Sequence, residues 1–317
     1  MEFDFTDLCG WGPKNATKKE HELFVCGERD KTAAAFATPF FIAGQQTSGA
    51  GKSVRLWKIY EKVTGKKYST GTPQLLGDCV AAASEAAVRL LSCAEIADGQ
   101  PEKYRSIFRM YHYAVGRVLI GKNRLKGGDG SIGSWQAEAH SKYGVISPEE
   151  ITNLPAYTKE NGKAWGDDRK VNGVSFRDFL ERGDDRPVRS WSPVTAWEQL
   201  RDGLWTRKAA TIAGTRGYTM KPNRSGFHMP SGSWPHQMHL AGYSETARVP
   251  WVAIGNQWGD VHGEVIDTEI GEPFPRGVLV VPIEEFVRSH LKMAATEAIV
   301  FSNFEGFPGK IDWSEFA

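Results

Sequence analysis

The stretch that most limits what this chain can fold into is residues 78–99, DCVAAASEAAVRLLSCAEIADG, which reads as a strong, closely packed helix. Asp is a good N-cap, Ala and Leu have high helix propensity, and Gly99 supplies a stop. Val80, Ala83, Ala87 and Leu91 form a narrow face of mostly small side chains, suited to close approach of a neighbouring element. Further helices are expected over 53–64, where Leu56, Ile59, Tyr60 and Val63 recur at i, i+3, i+4 and i+7, and over 103–118, 134–143 and 194–204. From 209 the pattern changes. Short apolar runs at 209–213, 238–243, 250–254, 264–266 and 277–281, bounded by Gly or Pro, read as strands of an antiparallel sheet or barrel, followed by a helix at 283–291. A helical half followed by a strand-rich half implies an α+β architecture of two lobes with a cleft between them.

Composition narrows the functional classes. The chain has 317 residues, 40% hydrophobic and 24% charged, which is ordinary globular composition. Its 39 Lys+Arg against 38 Asp+Glu leave a net charge of +1, so no overall electrostatic footprint points to nucleic acid or an anionic membrane. The longest apolar stretch, 32–44, is shorter than the ~20 residues of a membrane span, and the acidic opening MEFDFTD lacks a basic n-region. The expectation is no signal peptide and a cytoplasmic location. Four cysteines with no CxxC pair favour a reducing compartment and argue against structural zinc. No His, Cys or carboxylate group has metal-ligand spacing, and no cofactor is expected.

The organisation expected is an N-terminal extension (1–70), a body (71–290) with a helical lobe at about 71–155 and a strand-rich lobe at about 190–290, and a C-terminal tail (291–317). Residues 159–189 read as a polar connector and 221–233 as loops beside the cleft. The segment Gly49-Ala-Gly-Lys-Ser53 resembles the end of a phosphate-binding loop, but Gln46 stands where the first glycine belongs; a flexible linker is the expectation.

Chemistry gathers in three places. Cys79 falls at the first turn of the Ala-rich helix, where free N–H groups and the positive dipole end stabilise a thiolate, and Gln74 five residues earlier offers an amide for an oxyanion. Alone, such a cysteine is more readily a buried structural residue. In Trp234-Pro-His236-Gln-Met-His239-Leu-Ala-Gly242-Tyr243 two histidines can serve as base, and side chains three apart on a strand leave on opposite sides, so only one faces the cleft. In Asn256-Gln257-Trp258-Gly259 an asparagine can take the imidazole N–H, with Trp258 covering that bond from water. His228 and His262 have no evident partner.

Taken together, these residues resemble the papain-like cysteine peptidases in order and spacing. Gln74 matches that family's oxyanion glutamine, Cys79 its nucleophile, His236 its base six residues before Gly242-Tyr243, and Asn256 its imidazole-orienting asparagine. Residues 127–146, GGDGSIGSWQAEAHSKYGVI, are similar to the family's Gly-rich cleft wall and following helix, with Gly130 and Gly133 allowing an extended peptide to approach. The resemblance spans about 72–290 and implies a two-lobed fold, helical on one side and β-barrel-like on the other, cleaving amide bonds in peptide or protein substrates, with Trp258 beside the substrate. Departures are a Gln-to-Cys spacing of five rather than six, Leu76 where the family carries a disulfide cysteine, Asp78 beside the nucleophile, where its charge opposes thiolate formation, and Val80 after it. The LWKIYEKVTGKK lead-in and GGDGSIGSW are also similar to papain-like proteins encoded by bacteriophages. That implies alternative roles as a cell-wall peptide hydrolase or as a virion component whose extension contacts other virion subunits.

Overall fold

The computed structural model describes residues 8–11, 48–293 and 296–304. Its elements are β1 (Ser53–Arg55), α1 (Leu56–Thr64), α2 (Cys79–Ala97), α3 (Arg109–Ala114) continuing as a π-helical turn over Val115–Ile120, α4 (Gly133–Tyr143), α5 (Lys159–Gly166), a 3-10 turn (Phe176–Phe179) leading into α6 (Leu180–Asp184), β2 (Val188–Pro193), α7 (Trp197–Trp205), β3 (Ala209–Tyr218), β4 (Pro230–Ser244), β5 (Trp251–Gly255), β6 (Ile266–Asp267), β7 (Glu272–Pro273), β8 (Val278–Pro282), α8 (Ile283–Phe286) with a second π turn (Val287–Leu291), and β9 (Thr296–Phe304).

Helix α2 is buried on every side from Cys79 to Ala94. Its many alanines let α1, α3 and α4 pack on one flank and β3, β4 and β9 on the other. The two charged side chains this buries are paired: Glu85 Oε2 accepts Arg109 Nε at 2.7 Å, and Arg89 donates to the hydroxyls of Tyr60 and Tyr104 at 3.1 and 3.0 Å.

All seven strands of the main sheet pair antiparallel, in the order β2-β9-β3-β4-β5-β8, with β1 alongside β4. The mixed α+β fold is as expected, but the sheet is open rather than barrel-like. Closure would need β2 and β8 to pair; instead α4 packs on β2, and the chain leaves β8 directly into α8, which turns back onto β5.

Two stretches expected as irregular are structured. Within 291–317, β9 inserts between β2 and β3, with Ser302 opposite Ser190 and Ile299 opposite Thr211. The polar connector 159–189 carries α5, capped by Thr158, and the 3-10 turn leading into α6, capped by a Ser175–Asp178 capping box, and buries Trp165, Phe176 and Phe179 against Met110, Tyr111 and Ile146. The helix expected over 103–118 begins only at Arg109. Gly49 is an anchored turn rather than a flexible linker: its N–H donates to Asp202 at 2.8 Å and its carbonyl accepts the Tyr243 hydroxyl at 2.9 Å. Most of the N-terminal extension, including any virion contact it would make, lies outside the described residues, but α1 belongs to the main core through Leu56, Trp57 and Tyr60.

The Gly242-Tyr243 pair has a packing reason. β1 lies against β4 here, and a Cβ on Gly242 would sit 2.3 Å from the Val54 carbonyl oxygen and 3.0 Å from the Trp57 ring. Gly242→Ala is expected to destabilise the protein by about 1–3 kcal/mol through overpacking, read as a lowered urea midpoint; an unchanged midpoint would contradict this packing.

Candidate active site

Helix α2 begins at Cys79, with Asp78 in the N-cap position. The Asp78 side chain does not cap the helix. It accepts Tyr157 Oη at 2.7 Å and Gln74 Nε2 at 3.2 Å, and burial raises its carboxyl pKa above the ordinary value. Gln74 is buried as well, its N–H donating to the Gln257 carbonyl at 2.9 Å, so the oxyanion candidate is tied to the loop carrying Asn256.

Strand β4 supplies both histidines, and each finds a different partner. His236 Nε2 lies 2.9 Å from Asn256 Oδ1, and the other side of that amide, Nδ2, lies 3.0 Å from His262 Nε2. An amide oxygen only accepts, so His236 carries its proton on Nε2 and presents an unprotonated Nδ1. That Nδ1 is buried without a hydrogen-bond partner among the described residues, which leaves it available as a base. The Trp258 ring covers the pair, its centroid 4.6 Å from that of His236. His239 points elsewhere, with Nε2 2.6 Å from Tyr68 Oη and Nδ1 2.9 Å from Gln257 Nε2.

Residues 8–11 occupy the cleft. The Gly10 N–H donates to Cys79 Sγ at 3.3 Å, Gln74 Nε2 donates to the Leu8 carbonyl at 3.3 Å, and Leu8 and Cys9 pack with Trp258. On the helical side, Ser131 N–H donates to the Gly10 carbonyl at 2.7 Å; on the sheet side, Trp11 N–H donates to the Pro235 carbonyl at 3.0 Å. Trp11 runs parallel to Ser131, and its indole N–H reaches Glu297 Oε2 at 2.9 Å. Only glycine fits at position 10, since a Cβ would sit 1.9 Å from the Gly77 carbonyl oxygen. The extended segment thus meets the wall at Ser131, between the two glycines singled out in the sequence. Gly130 has φ +101°, and a Cβ on Gly133 would point toward Glu297 and Gln237, 2.8 and 2.9 Å away.

Enclosure sets the electrostatics. Burial pushes the Cys79 thiol up to about 12, helped by Cys9 and Asp78 and opposed by the Gln237 and Gly10 main-chain N–H groups. Burial also lowers His236 to about 4, against the favourable Asn256 bond. The resting pair is therefore neutral thiol and neutral imidazole. Water entering in place of residues 8–11 would reverse both shifts and favour the thiolate–imidazolium form.

Of the sequence-derived residues, Cys79 and Gln74 are joined by hydrogen bonds through residues 8–11, and His236, Asn256 and Trp258 form a second cluster across the same cleft. Sequence reasoning missed three participants: Gly10, His262 and Gln257. Fold and arrangement define a class, and the chain has the papain-like fold of cysteine proteases. It is similar to xylellain, a cysteine protease from Xylella fastidiosa (TM-score 0.55, 15% identity, 96% of this chain and 98% of that one). Similar too are proCathepsin B S9 from Trypanosoma congolense (0.52, 10%, 92% and 85%) and the proform of the ragweed pollen cysteine protease Amb a 11 (0.52, 14%, 97% and 72%). No protein-family model and no curated protein sequence matches the chain. None of the described helices is long and apolar enough to cross a membrane.

Seven of the chain's eight histidines are described, all are buried, and burial lowers the pKa of each: His112, His140, His228, His236, His239, His262 and His290. A histidine whose folded pKa is depressed binds protons preferentially when unfolded, so its contribution is intact above the unfolded value of about 6.5 and erodes as pH falls. Each such imidazole costs about 1.4 kcal/mol per pH unit below that value until its folded pKa is reached. Urea unfolding is expected to show a plateau above neutrality and a steep loss of stability by about pH 5; a midpoint held constant through that window would contradict neutral burial.

Proposed function

We propose that the chain is a papain-like thiol hydrolase acting on peptide bonds, held with its nucleophile covered by residues 8–11. The observation that carries this reading is the amide of Asn256, which fixes His236 with a free Nδ1 in a fold where Cys79 starts the central helix. Once the segment has left, Nδ1 takes the thiol proton and Sγ adds to the carbonyl carbon. The negative charge that develops on the carbonyl oxygen is met by Gln74 Nε2 and the Cys79 main-chain N–H. The imidazolium returns the proton to the leaving amine, and water then releases the acyl group by the same steps. Asn256 keeps the ring in the productive tautomer throughout, and Trp258 keeps water from its bond to His236.

A second reading, a papain-fold virion or other structural component without hydrolytic activity, is favoured by the complete burial of Cys79. The two separate on a substrate panel of casein, fluorogenic peptides and purified cell wall, with wild type, Cys79→Ala and Gly10→Val assayed side by side. The hydrolase reading expects cleavage that Cys79→Ala abolishes without altering the fold. A structural component would be inert on all substrates in every variant.

Gly10→Val offers a separate check on the covering segment. The added side chain cannot occupy the space against Gly77, so the segment is displaced and Cys79 alkylation at neutral pH is expected to speed up by more than about tenfold, following the thiolate fraction. Labelling as slow as in wild type would show that residues 8–11 do not limit access to the sulfur.

A further inference from the structure

One buried residue outside the catalytic set is tied to every element that carries it. Gln257 is fully buried, and its Nε2 makes two hydrogen bonds, 3.2 Å to the Ala82 carbonyl and 2.9 Å to His239 Nδ1. Ala82 is on α2, three residues after Cys79, while His239 is on β4, three residues after His236. The Gln257 main-chain carbonyl accepts the N–H of Gln74, and its chain neighbour Asn256 holds the His236 ring. One residue thus joins the helix bearing the nucleophile, the strand bearing the base, the oxyanion glutamine and the orienting asparagine.

The chemistry of this junction is determinate. A carbonyl only accepts, so the amide nitrogen must face Ala82, and its second N–H meets His239 Nδ1 as an acceptor. The His239 proton is then on Nε2 and is donated to Tyr68 Oη at 2.6 Å. Burial lowers this ring to about 3, so it stays neutral and keeps that tautomer at any ordinary pH. The backbone is shaped to admit the ring: a Cβ on Gly255 would lie 2.0 Å from His239 Cε1. Along 255–257 the chain therefore makes room for one histidine, binds the other through Asn256, and locks the first through Gln257.

No hydrogen bond joins Cys79 Sγ to His236 Nδ1 in the covered state, so their alignment on opening depends on how rigidly α2 and β4 are held to each other. We infer that Gln257 is a positioning residue that, through Ala82 and His239, sets the approach of Cys79 to His236. The inference rests on the thiol-hydrolase reading for its catalytic consequence but not for the tie itself.

The test uses the full chain carrying Gly10→Val, with and without Gln257→Glu, Gln257→Leu or Tyr68→Phe. Gln257→Glu keeps the volume but cannot donate to both Ala82 and His239; Tyr68→Phe removes only the far end of the relay and secures the test should the Gln257 variants not fold. A misplacement near 1 Å at the reacting pair costs about 100-fold, so both Gln257 variants should lose about that factor in kcat with KM within about twofold, and Tyr68→Phe roughly tenfold. The His236-dependent part of Cys79 labelling should move toward the free-thiol pKa in the same order. Nitrogen NMR of the histidines reads the tie independently of activity: His239 Nδ1 should show as unprotonated in the parent and lose that signature in Gln257→Leu. Unchanged kinetics and labelling in folded variants of an active parent would overturn the positioning role. Should the parent itself show no His236-dependent thiol, the hydrolase reading fails instead, and an unaltered His239 tautomer in Gln257→Leu would then overturn the tie as well.

Discussion

Everything at the cleft depends on the complete burial of α2. A helix with Ala at positions 81, 82, 83, 86 and 87 lets neighbours approach on all sides, and this places the Cys79 end against β4 while the flanks bind α1, α3 and β9. The enclosure constrains the chemistry too. Charges entering this space must be paired, as Glu85 is with Arg109, and groups that can be neutral stay neutral, as Cys79 and His236 do.

The covered state and the chemistry proposed for the open state are two consequences of one dielectric effect. Residues 8–11 replace water with a peptide N–H and apolar side chains, so the sulfur, met by the Gly10 and Gln237 main-chain N–H groups, has its pKa raised by burial. The polar scaffold is complete in this state: Asn256 between His236 and His262, Gln257 between Ala82 and His239, and Gln74 on the Gln257 carbonyl. On the proposed reading, opening the cleft would change solvation more than geometry, which is what preorganisation requires.

Much of this was legible in the sequence because local rules and tertiary structure agree there. The helix over 78–99 and the strands near 209, 238, 251 and 278 follow propensity and period, and the separation of His236 and His239 onto different partners follows from strand alternation. The failures have physical causes. β9, read as tail, pairs with β2 and β3 across more than 80 positions of chain, as from Ser302 to Ser190 at 112; such pairing leaves no local mark. The connector 159–189 looked polar because its three buried aromatics, Trp165, Phe176 and Phe179, are spread thinly among charges. Gln257 was opaque because Ala82 reaches it only once α2 packs on the sheet, and His262 because the loop that returns it to Asn256 has no periodic pattern to read. Gly10 was invisible because its constraint, the Gly77 carbonyl, lies 67 positions away in the chain.

The central claim, that Cys79 and His236 form an activated pair once the cleft is open, is tested most directly by the pH dependence of Cys79 alkylation in protein lacking residues 1–11. Intact mass and peptide mapping would follow the label, with and without His236→Ala. The account predicts fast labelling well below the free-thiol value of about 8.5 that disappears in His236→Ala. Labelling that follows an ordinary thiol titration, indifferent to His236, would contradict it.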